Sequence, residues 1–335
     1  MSAKPYQPPF SFTSSVVERV SRISELLGAW RSRSESALTP MLRRGNRIQT
    51  IQASLAIEHN TLSVEQVSAV IEGKPVLGPP REIREVRNAF AAYEALDRWS
   101  PVQERDLLEA HGLLMLGLVD EPGAYRSAGV GIYHGEQLVH MAPPANQVPR
   151  LMTNLLNWLA GTELPPLVAS CLFHYELEFI HPFADGNGRL GRLWQTLILA
   201  KWRPELAWLP VEEVVRDRQQ DYYSALGEAD TLADATPFVE FMLASLEQAL
   251  VQALARNDGV SDEVSDEVSV KLDELDHQVL SIIRQQPHVT QEALVKATGR
   301  SLSTIQRRIR KLRKYHIERI GSDKTGYWRL KKGNE

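Results

Sequence analysis

The sequence contains a single cysteine, Cys171, among its 335 residues. One cysteine excludes an intramolecular disulfide and a zinc site built from several thiolates. No apolar run reaches the roughly 18 residues that a membrane-spanning helix needs, and the N-terminal stretch lacks the apolar segment of a secretory signal. From these absences we expect a cytoplasmic protein with no membrane partner.

The chain as a whole also has only a small excess of one sign of charge, since its formal net charge is −4. This value argues against nucleic-acid binding by the entire surface. Cations nevertheless concentrate near the C-terminus: between residues 300 and 332, twelve arginines and lysines accompany only Glu318 and Asp323, a net charge of +10. We expect this patch either to contact DNA or to serve as a solvated face, a dimer interface or a target-docking surface.

Apolar residues recur at helical spacing along most of the chain, which predicts a mainly α fold. Glycines and prolines interrupt the pattern at 121–145, where two short apolar alternations predict a β-hairpin. Three helical segments followed by a two-strand ribbon after residue 271 follow the order of a winged helix. We therefore expect an N-terminal helical region at 1–110, a core at 111–255, an acidic linker at 256–270 and a C-terminal domain at 271–335.

The stretch HPFADGNGRLGR, residues 181–192, lies between two long apolar segments. Its glycines allow close approach of the backbone to a ligand, and successive N–H groups at a helix start favour anions. Arg189 and Arg192 add positive charge on one face of the following helix. The pattern predicts a phosphate-binding loop, and it is neither a Walker loop nor a dinucleotide fingerprint.

Two side chains of the loop can carry chemistry. His181 titrates near neutrality and can act as a general base. Asp185 offers a hard oxygen ligand, which suits Mg²⁺ bound together with substrate phosphates.

The loop matches the signature HPFx[DE]GNGRxxR at every specified position, so the chain resembles the Fic (Fido) family. The resemblance extends through most of residues 45–250 and includes IEHNTLSVEQVSAVIEGK, YRSAGVGI and DYYSAL. It implies a Fic-type helical domain with a β-hairpin flap, here followed by a winged helix-turn-helix domain. It also implies a protein adenylyltransferase that transfers AMP from ATP to a serine, threonine or tyrosine hydroxyl of a target protein.

By the same resemblance, each loop residue has an expected role. His181 deprotonates the target hydroxyl, Phe183 braces the loop, and Asp185 holds Mg²⁺ on the α- and β-phosphates. Asn187, Arg189 and Arg192 complete the catalytic set, and the residues expected to cradle or neutralise the phosphates are Gly186, Asn187, Gly188, Arg189 and Arg192. The intact Gly-Asn-Gly favours adenylylation over the phosphorylation of Doc-type kinases, which carry a lysine in this region.

Residues outside the loop are assigned by looser alignment. The expected adenine contacts are Tyr222, Tyr223 and Asp230. The flap, residues 130–142, is expected to bind target backbone as an added strand, with Val139, His140 and Met141 as its outer strand.

Ser54 to Glu58 resembles the family's inhibitory motif [ST]xxxE[GN]. The resemblance implies that Glu58 pairs with Arg192 and keeps the γ-phosphate from its productive position. His59 departs from the pattern because glycine or asparagine is expected there, and Asn60 follows one residue later. The alternative is that Glu58 is an ordinary carboxylate at a helix end.

Two rival functions remain at this level. The same site could remove AMP from a modified protein, with Glu58 positioning water. Alternatively, the chain is a DNA-binding regulator or toxin-system component in which catalysis is secondary. A homodimer is compatible with either function, since winged helices often support dimers.

Overall fold

The computed structural model of the protein describes residues 6–37, 40–134, 137–265, 274–300, 304–305, 308–309, 312, 317–320 and 327–330. The chain divides into two compact units, Met1–Ala255 and Arg256–Glu335. The division predicted at residues 110 and 111 falls inside one helix, and both sides of it belong to the first unit.

The first unit is mainly helical. Its helices are α1 (Ser14–Ala37), α2 (Pro40–Ile57), α3 (Val64–Ile71), α4 (Pro80–Glu94), α5 (Glu104–Leu114), α6 (Val148–Gly161), α7 (Pro166–Ile180), α8 (Asn187–Trp202), α9 (Val211–Asp217), α10 (Gln219–Leu232) and α11 (Thr236–Ser265). Short 3₁₀ turns occupy Leu96–Arg98, Ala145–Gln147 and Pro204–Trp208. The end of α11 makes residues 256–265 of the expected linker helical, while 266–270 lie outside the described residues.

Helix α7 lies at the centre of this unit and packs against α8. Its apolar residues surround the helix instead of forming one stripe, the pattern expected of a buried helix, and Phe173 and Leu177 are fully buried. Cys171 is a free, buried thiol that accepts a hydrogen bond from the Gln195 amide at 3.4 Å. Burial raises the pKa of Cys171 to about 12.

Helix α2 is fixed to the core by Arg47. The Arg47 guanidinium lies 4.5 Å from the centre of the Trp208 ring and 4.9 Å from that of Tyr93, and it donates to the Ala207 carbonyl at 3.2 Å. Cation–π contacts with two rings hold this arginine firmly when it is desolvated. The helix that carries Ser54 is therefore anchored against the core.

The corner between α2 and α3 contains His59 in a left-handed conformation, with φ 67°. Asn60 then accepts from the Leu62 N–H and donates to the Glu85 carboxylate at 2.9 Å. Ser63 caps α3 with a complete capping box.

The predicted hairpin is present as strands β1 (Gly131–His134) and β2 (Gln137–Met141), paired antiparallel. Gly131 pairs with Met141 at its base, and the register shifts between Ile132 and Tyr133. The side chains of 132–140, including the predicted contacts Val139 and His140, lie outside the description. Met141 is 63% exposed.

The N-terminal segment crosses the first unit as an arm. The Pro9 carbonyl accepts from the Ala235 N–H at 2.8 Å, and the Ser11 N–H donates to Thr236 at 3.0 Å. The Tyr6 hydroxyl donates to the Glu176 carboxylate on α7. The arm thus links the chain start to the central helix.

The second unit contains α12 (Glu274–Gln285), α13 (Gln291–Thr298) and the antiparallel strands β3 (Ile317–Ile320) and β4 (Tyr327–Leu330). The predicted third helix at 301–316 is described only in part, but Ile305, Ile309 and Leu312 are all buried at helical spacing. The Trp328 indole donates to the Val289 carbonyl at 3.2 Å and closes this small core.

Most side chains of the basic patch lie outside the description. Two that are described pair with carboxylates: Arg308 with the buried Asp276 at 3.4 Å, and Arg329 with Glu318 at 2.7 Å. These two arginines therefore contribute to folding contacts in addition to net charge.

One stretch among the described residues, Thr236–Ala255 on α11, is long and apolar enough to cross a membrane by length and composition. Of the apolar 18-residue segment within this stretch, 56% is buried inside the protein. A core helix meets the same criterion.

Candidate active site

The loop 181–186 joins α7 to α8 through two left-handed residues. His181 caps the end of α7 with φ 49°, and Gly186 begins α8 with φ 87°. Proline at 182 disfavours helical geometry for His181. The sequence thus stops one buried helix at the candidate base and starts the next at a glycine.

The interior of the loop is held by Phe183 and Asn187. The Phe183 ring is fully buried and stacks on His111 of α5, with centroids 3.7 Å apart. The Asn187 side chain accepts from the Phe183 N–H and donates to the Phe183 carbonyl, each at 2.9 Å. The oxygen and the nitrogen of this amide are thus both engaged, so the side chain braces the loop.

His111 orients the segment that carries Asp185. The Gly123 N–H donates to His111 Nδ1 at 2.9 Å, which leaves Nε2 as the protonated nitrogen facing the Asp185 carbonyl at 3.0 Å. Burial lowers the pKa of His111, so the neutral ring with this tautomer is favoured. The contact fixes the backbone of the candidate metal ligand.

The Asp185 carboxylate is partly exposed and bound by two arginines. Its Oδ1 accepts from Arg189 at 2.8 Å, and its Oδ2 lies 3.3 Å from Arg81 of α4. Arg189 also reaches Glu85 at 3.4 Å. Arg189 is therefore held between a carboxylate of the loop and a carboxylate of α4.

The donor set at Asp185 fits Mg²⁺ bound together with a nucleotide. Among the described residues, no three His, Cys, Asp or Glu side chains gather into a metal cage. A single carboxylate at the edge of a phosphate-binding loop is the protein contribution that Mg²⁺ commonly uses, since phosphates and water supply the remaining oxygens. Asp185, with 41% of its side chain exposed, can supply that oxygen.

Arg192 is held by the helix that carries the expected inhibitory motif. Its Nε and Nη2 donate to the Ser54 hydroxyl and carbonyl, both at 3.0 Å, and Nη2 reaches Glu58 Oε1 at 2.7 Å. Burial disfavours the charge of Arg192, but attraction to Glu58 outweighs that cost and its pKa is raised. The structure thus places the predicted contact between Glu58 and Arg192.

The loop glycines leave space that a side chain would fill. A methyl group at Gly188 would lie 2.6 Å from Glu58 Oε1 and 3.1 Å from Arg192 Nη1, and one at Gly186 would lie 2.6 Å from the Met115 sulfur. Glu58 therefore reaches the surface of the predicted phosphate cradle. An anion in that position and the Glu58 carboxylate would repel each other.

A buried polar cluster lies beneath the cradle. His174 is fully buried and contacts Gln195 at 2.7 Å and the Tyr222 hydroxyl at 3.2 Å. The Glu178 carboxylate lies 3.7 Å from His174. Burial raises the pKa of Glu178, but His174 and nearby cations outweigh this effect and lower it. His174 is thus a packed core histidine.

The three expected adenine contacts lie on α10 in different surroundings. Tyr222 is 1% exposed and packs in the core, Asp230 accepts from Tyr175 at 3.1 Å, and Tyr223 is 38% exposed. The Tyr223 hydroxyl lies 3.5 Å from the Ile57 carbonyl at the end of α2. Of the three residues, Tyr223 is therefore the best placed to contact an adenine ring. The assignment of all three as adenine contacts stays a prediction.

Three residues of the site did not emerge from sequence reasoning. His111 and Glu85 lie on helices that the sequence identifies only by their apolar spacing. Arg126 lies in YRSAGVGI, a segment that the family resemblance includes without giving this residue a role. Each is a polar residue that is buried or nearly so. A polar residue at an inward helical position was the available signal for the first two.

Comparison with known proteins supports the assignment of both units. A family model described as Fic/DOC family matches residues 101–199, and one described as Winged helix-turn-helix DNA-binding matches 272–317. Relatives named protein adenylyltransferase Fic from Nematostella vectensis and fic-1 from Caenorhabditis elegans are 31% and 30% identical over 60% and 59% of this chain. The chain spans less than half of their lengths, 47% and 39%.

A solved structure resembles the whole chain. The crystal structure of a Fic family protein from Desulfovibrio desulfuricans G20 is 52% identical, covers 98% of this chain and is itself covered completely, with a TM-score of 0.76. The helical fold with its hairpin and the C-terminal winged helix-turn-helix agree with these matches. The chain therefore belongs to the Fic family.

Proposed function

We propose that this protein transfers AMP from ATP to a serine, threonine or tyrosine hydroxyl of a target protein. The observation that carries the proposal is the loop at 181–192, which carries a histidine, a partly exposed carboxylate and two arginines beside the glycines of the predicted phosphate cradle. The names of the relatives support the same reaction class.

In the proposed reaction, the hydroxyl oxygen of the target attacks the α-phosphorus of ATP. A new oxygen–phosphorus bond forms, the bond from the α-phosphorus to the bridging oxygen breaks, and pyrophosphate leaves. His181 accepts the hydroxyl proton as general base. Arg189 and Arg192 offset negative charge on the phosphates, where positioning and electrostatics supply most of the catalysis. Asp185 would hold Mg²⁺, which when bound neutralises phosphate charge.

We further propose that Glu58 restrains this reaction. The carboxylate contacts Arg192 at 2.7 Å and lies within the space above Gly188. It thereby occupies the arginine that a γ-phosphate needs and adds negative charge where that phosphate would bind.

Glu58→Gly tests both proposals. The wild type, Glu58→Gly and the double variant Glu58→Gly/His181→Ala are incubated with ATP and Mg²⁺, and intact mass reports AMP added to the protein itself. We expect Glu58→Gly to react about tenfold faster or more, since a charge-assisted contact is worth at least about 1.4 kcal/mol, and the double variant to be inactive. Glu18→Gly, at an exposed helical glutamate, is the matched control.

The outcomes separate the two proposals. Equal rates for wild type and Glu58→Gly would contradict inhibition while leaving the activity in place. No AMP on any variant, or AMP addition that survives loss of His181, would contradict the proposed reaction.

Removal of AMP is a second candidate activity. It is favoured by the Glu58 side chain, which remains 32% exposed beside the cradle and could orient a water. Adding wild-type protein to AMP-modified Glu58→Gly protein, after ATP has been removed, tests it. A stable AMP mass over the time of the transfer assay would contradict this candidate.

The C-terminal unit supports a further proposal, that it binds DNA. Its match to a DNA-binding winged helix and the net charge of +10 between residues 300 and 332 favour a nucleic-acid surface. The dependence of DNA binding on salt concentration tests this proposal.

A further inference from the structure

Arg126 is a buried arginine between α5 and β1, with 6% of its surface exposed. Its Nε donates to the His181 carbonyl at 2.7 Å, Nη1 donates to the Ala128 carbonyl at 2.9 Å, and Nη2 donates to the Pro143 carbonyl at 2.6 Å. Nη2 also lies 3.3 Å from the Ile180 carbonyl. The side-chain contacts that the structure gives Arg126 are thus all to backbone carbonyls.

These carbonyls belong to three separate segments. Ile180 and His181 end α7, Ala128 precedes β1, and Pro143 follows β2. Ala142 closes the base of the hairpin by donating to the Val130 carbonyl at 3.2 Å. One guanidinium therefore ties both ends of the flap to the backbone of the candidate base.

The contact to His181 has particular weight because that residue is left-handed, with φ 49°. Such a backbone persists only where its surroundings hold it. The Arg126 backbone N–H also donates to the Pro182 carbonyl at 3.0 Å, so Arg126 binds two successive peptides at the bend that directs the imidazole.

We propose that Arg126 is a positioning residue that holds the flap in register with His181, so that a hydroxyl presented on the flap meets the base. The inference rests on the proposed transfer reaction. The hydrogen bonds of Arg126 go to the ends of the flap and to residues 180–182, so its effect falls on acceptor attack, and nucleotide binding is preserved.

The geometry requires arginine. A planar guanidinium presents five N–H groups in fixed directions, whereas a lysine ammonium is a compact point charge with three donors. Lysine at 126 keeps the charge but cannot reach three separated segments at once. Arg126→Lys should therefore loosen the connection without removing the cation.

Kinetics in the Glu58→Gly background provide the first test. We expect Arg126→Lys to slow AMP transfer in a single turnover by roughly 10- to 100-fold, the effect of a displacement of about 1 Å, while the dissociation constant for a fluorescent ATP analogue changes by less than about twofold. Arg150→Lys, at an exposed arginine on α6, is the matched control. Methylguanidinium added to Arg126→Ala should restore part of the rate, which it would not do for a general loss of packing.

Hydrogen exchange provides a second test that does not depend on catalysis. Arg126→Lys should raise amide exchange in residues 128–143 and in 180–182 together, with α8 unchanged, relative to Arg150→Lys. If Arg126→Ala does not fold, the Lys variant decides. Transfer within twofold of the parent, equal loss of nucleotide binding, or exchange raised in only one segment would overturn the proposal. No AMP transfer by the Glu58→Gly parent would instead contradict the proposed function, and the exchange result would still stand.

Discussion

Gly188 shows how much one missing side chain contributes to the site. Alanine there would place a methyl 3.1 Å from Arg192 Nη1, inside the space predicted to hold phosphate. Alanine also favours a helix over glycine by about 0.5–1 kcal/mol. The methyl group would therefore act on ligand binding. The helix propensity would act on stability, because Gly188 lies in the first turn of α8.

For Gly188→Ala in the Glu58→Gly background, we expect weaker ATP binding by roughly tenfold or more, from steric exclusion of a phosphate. The thermal midpoint should stay equal or rise by a few degrees. Gly112→Ala on α5 is the matched control, since its methyl would meet only atoms 3.8 Å away or farther. Unchanged affinity for the ATP analogue in Gly188→Ala would contradict the placement of the cradle.

The sequence identifies residues whose partners are close along the chain more readily than those with distant partners. Asn187 braces Phe183 four residues away, and the motif contains both. The partners of His111, Glu85 and Arg126 in the loop are 74, 104 and 55 residues distant. Only folding brings them together, so neither spacing nor the motif could assign them.

At the scale of elements, the corner between α2 and α3 determines where Glu58 lies. His59 is left-handed with φ 67°, the conformation in which glycine and asparagine are least strained. This geometry explains why the inhibitory motif expects one of these residues. The corner forms despite histidine, with Asn60 bonded to Glu85.

His59→Gly should relieve that strain and stabilise the protein by about 0.5–1 kcal/mol. Because the corner holds Glu58 against Arg192, AMP transfer should also fall, by roughly two- to fivefold for that energy. Thermal unfolding and the intact-mass assay measure the two effects. His59→Ala is the control, since alanine is also strained at positive φ; an equal response of both variants would count against this account.

The order of the helices and both hairpins could be predicted because apolar spacing and turn residues are local signals. The acidic linker expected at 256–270 stays a prediction, although α11 continues to Ser265 and makes the first part of it helical. Composition indicated a linker there, but no proline interrupts 256–265, and the charged groups can remain solvated on a helix. The exact end of a helix depends on such a balance, which the sequence pattern does not report.

At the scale of the whole molecule, the buried Glu176, which accepts a hydrogen bond from the N-terminal arm, makes the first unit sensitive to pH. Burial raises the pKa of Glu176 to about 7, although the hydrogen bond from Tyr6 opposes that rise and the charge of Asp230 adds to it. The folded state therefore binds a proton that the unfolded state releases at lower pH. Stability from this group is present below about pH 4.5 and is lost as pH rises through about 7.

Glu176→Gln should remove this pH-dependent loss. The free energy of unfolding of the variant, relative to that of the wild type, should therefore rise between pH 5 and pH 8 by an amount on the order of 2–3 kcal/mol. Urea unfolding at both pH values measures it, with Glu18→Gln as the exposed control. His111 has the opposite effect, because its lowered pKa makes the folded state lose stability as the pH falls below about 6.5. Comparing Glu176→Gln with wild type at the same pH cancels this contribution of His111. An equal pH response of Glu176→Gln and wild type would contradict the assignment.

The C-terminal unit should bind DNA mainly through phosphate contacts. We expect log affinity of the full chain for a duplex to fall linearly with log salt. The double variant Arg307→Ala/Arg310→Ala should reduce the slope by about 2 if both cations contact phosphates. Mobility shift at several salt concentrations measures the slope, and Arg22→Ala/Arg31→Ala on α1 is the control. No binding at low salt would favour a protein-docking surface instead.

The solitary cysteine has a practical consequence. Because Cys171 is fully buried and its thiol is held protonated, thiol-directed maleimides should leave the native protein unmodified. A cysteine introduced at an exposed position such as Met141 on the flap, or Leu77, which is 94% exposed, would then be the sole reactive site. The wild-type background is thus ready for fluorescent labels or crosslinkers that capture a target, without first removing a native thiol from the core.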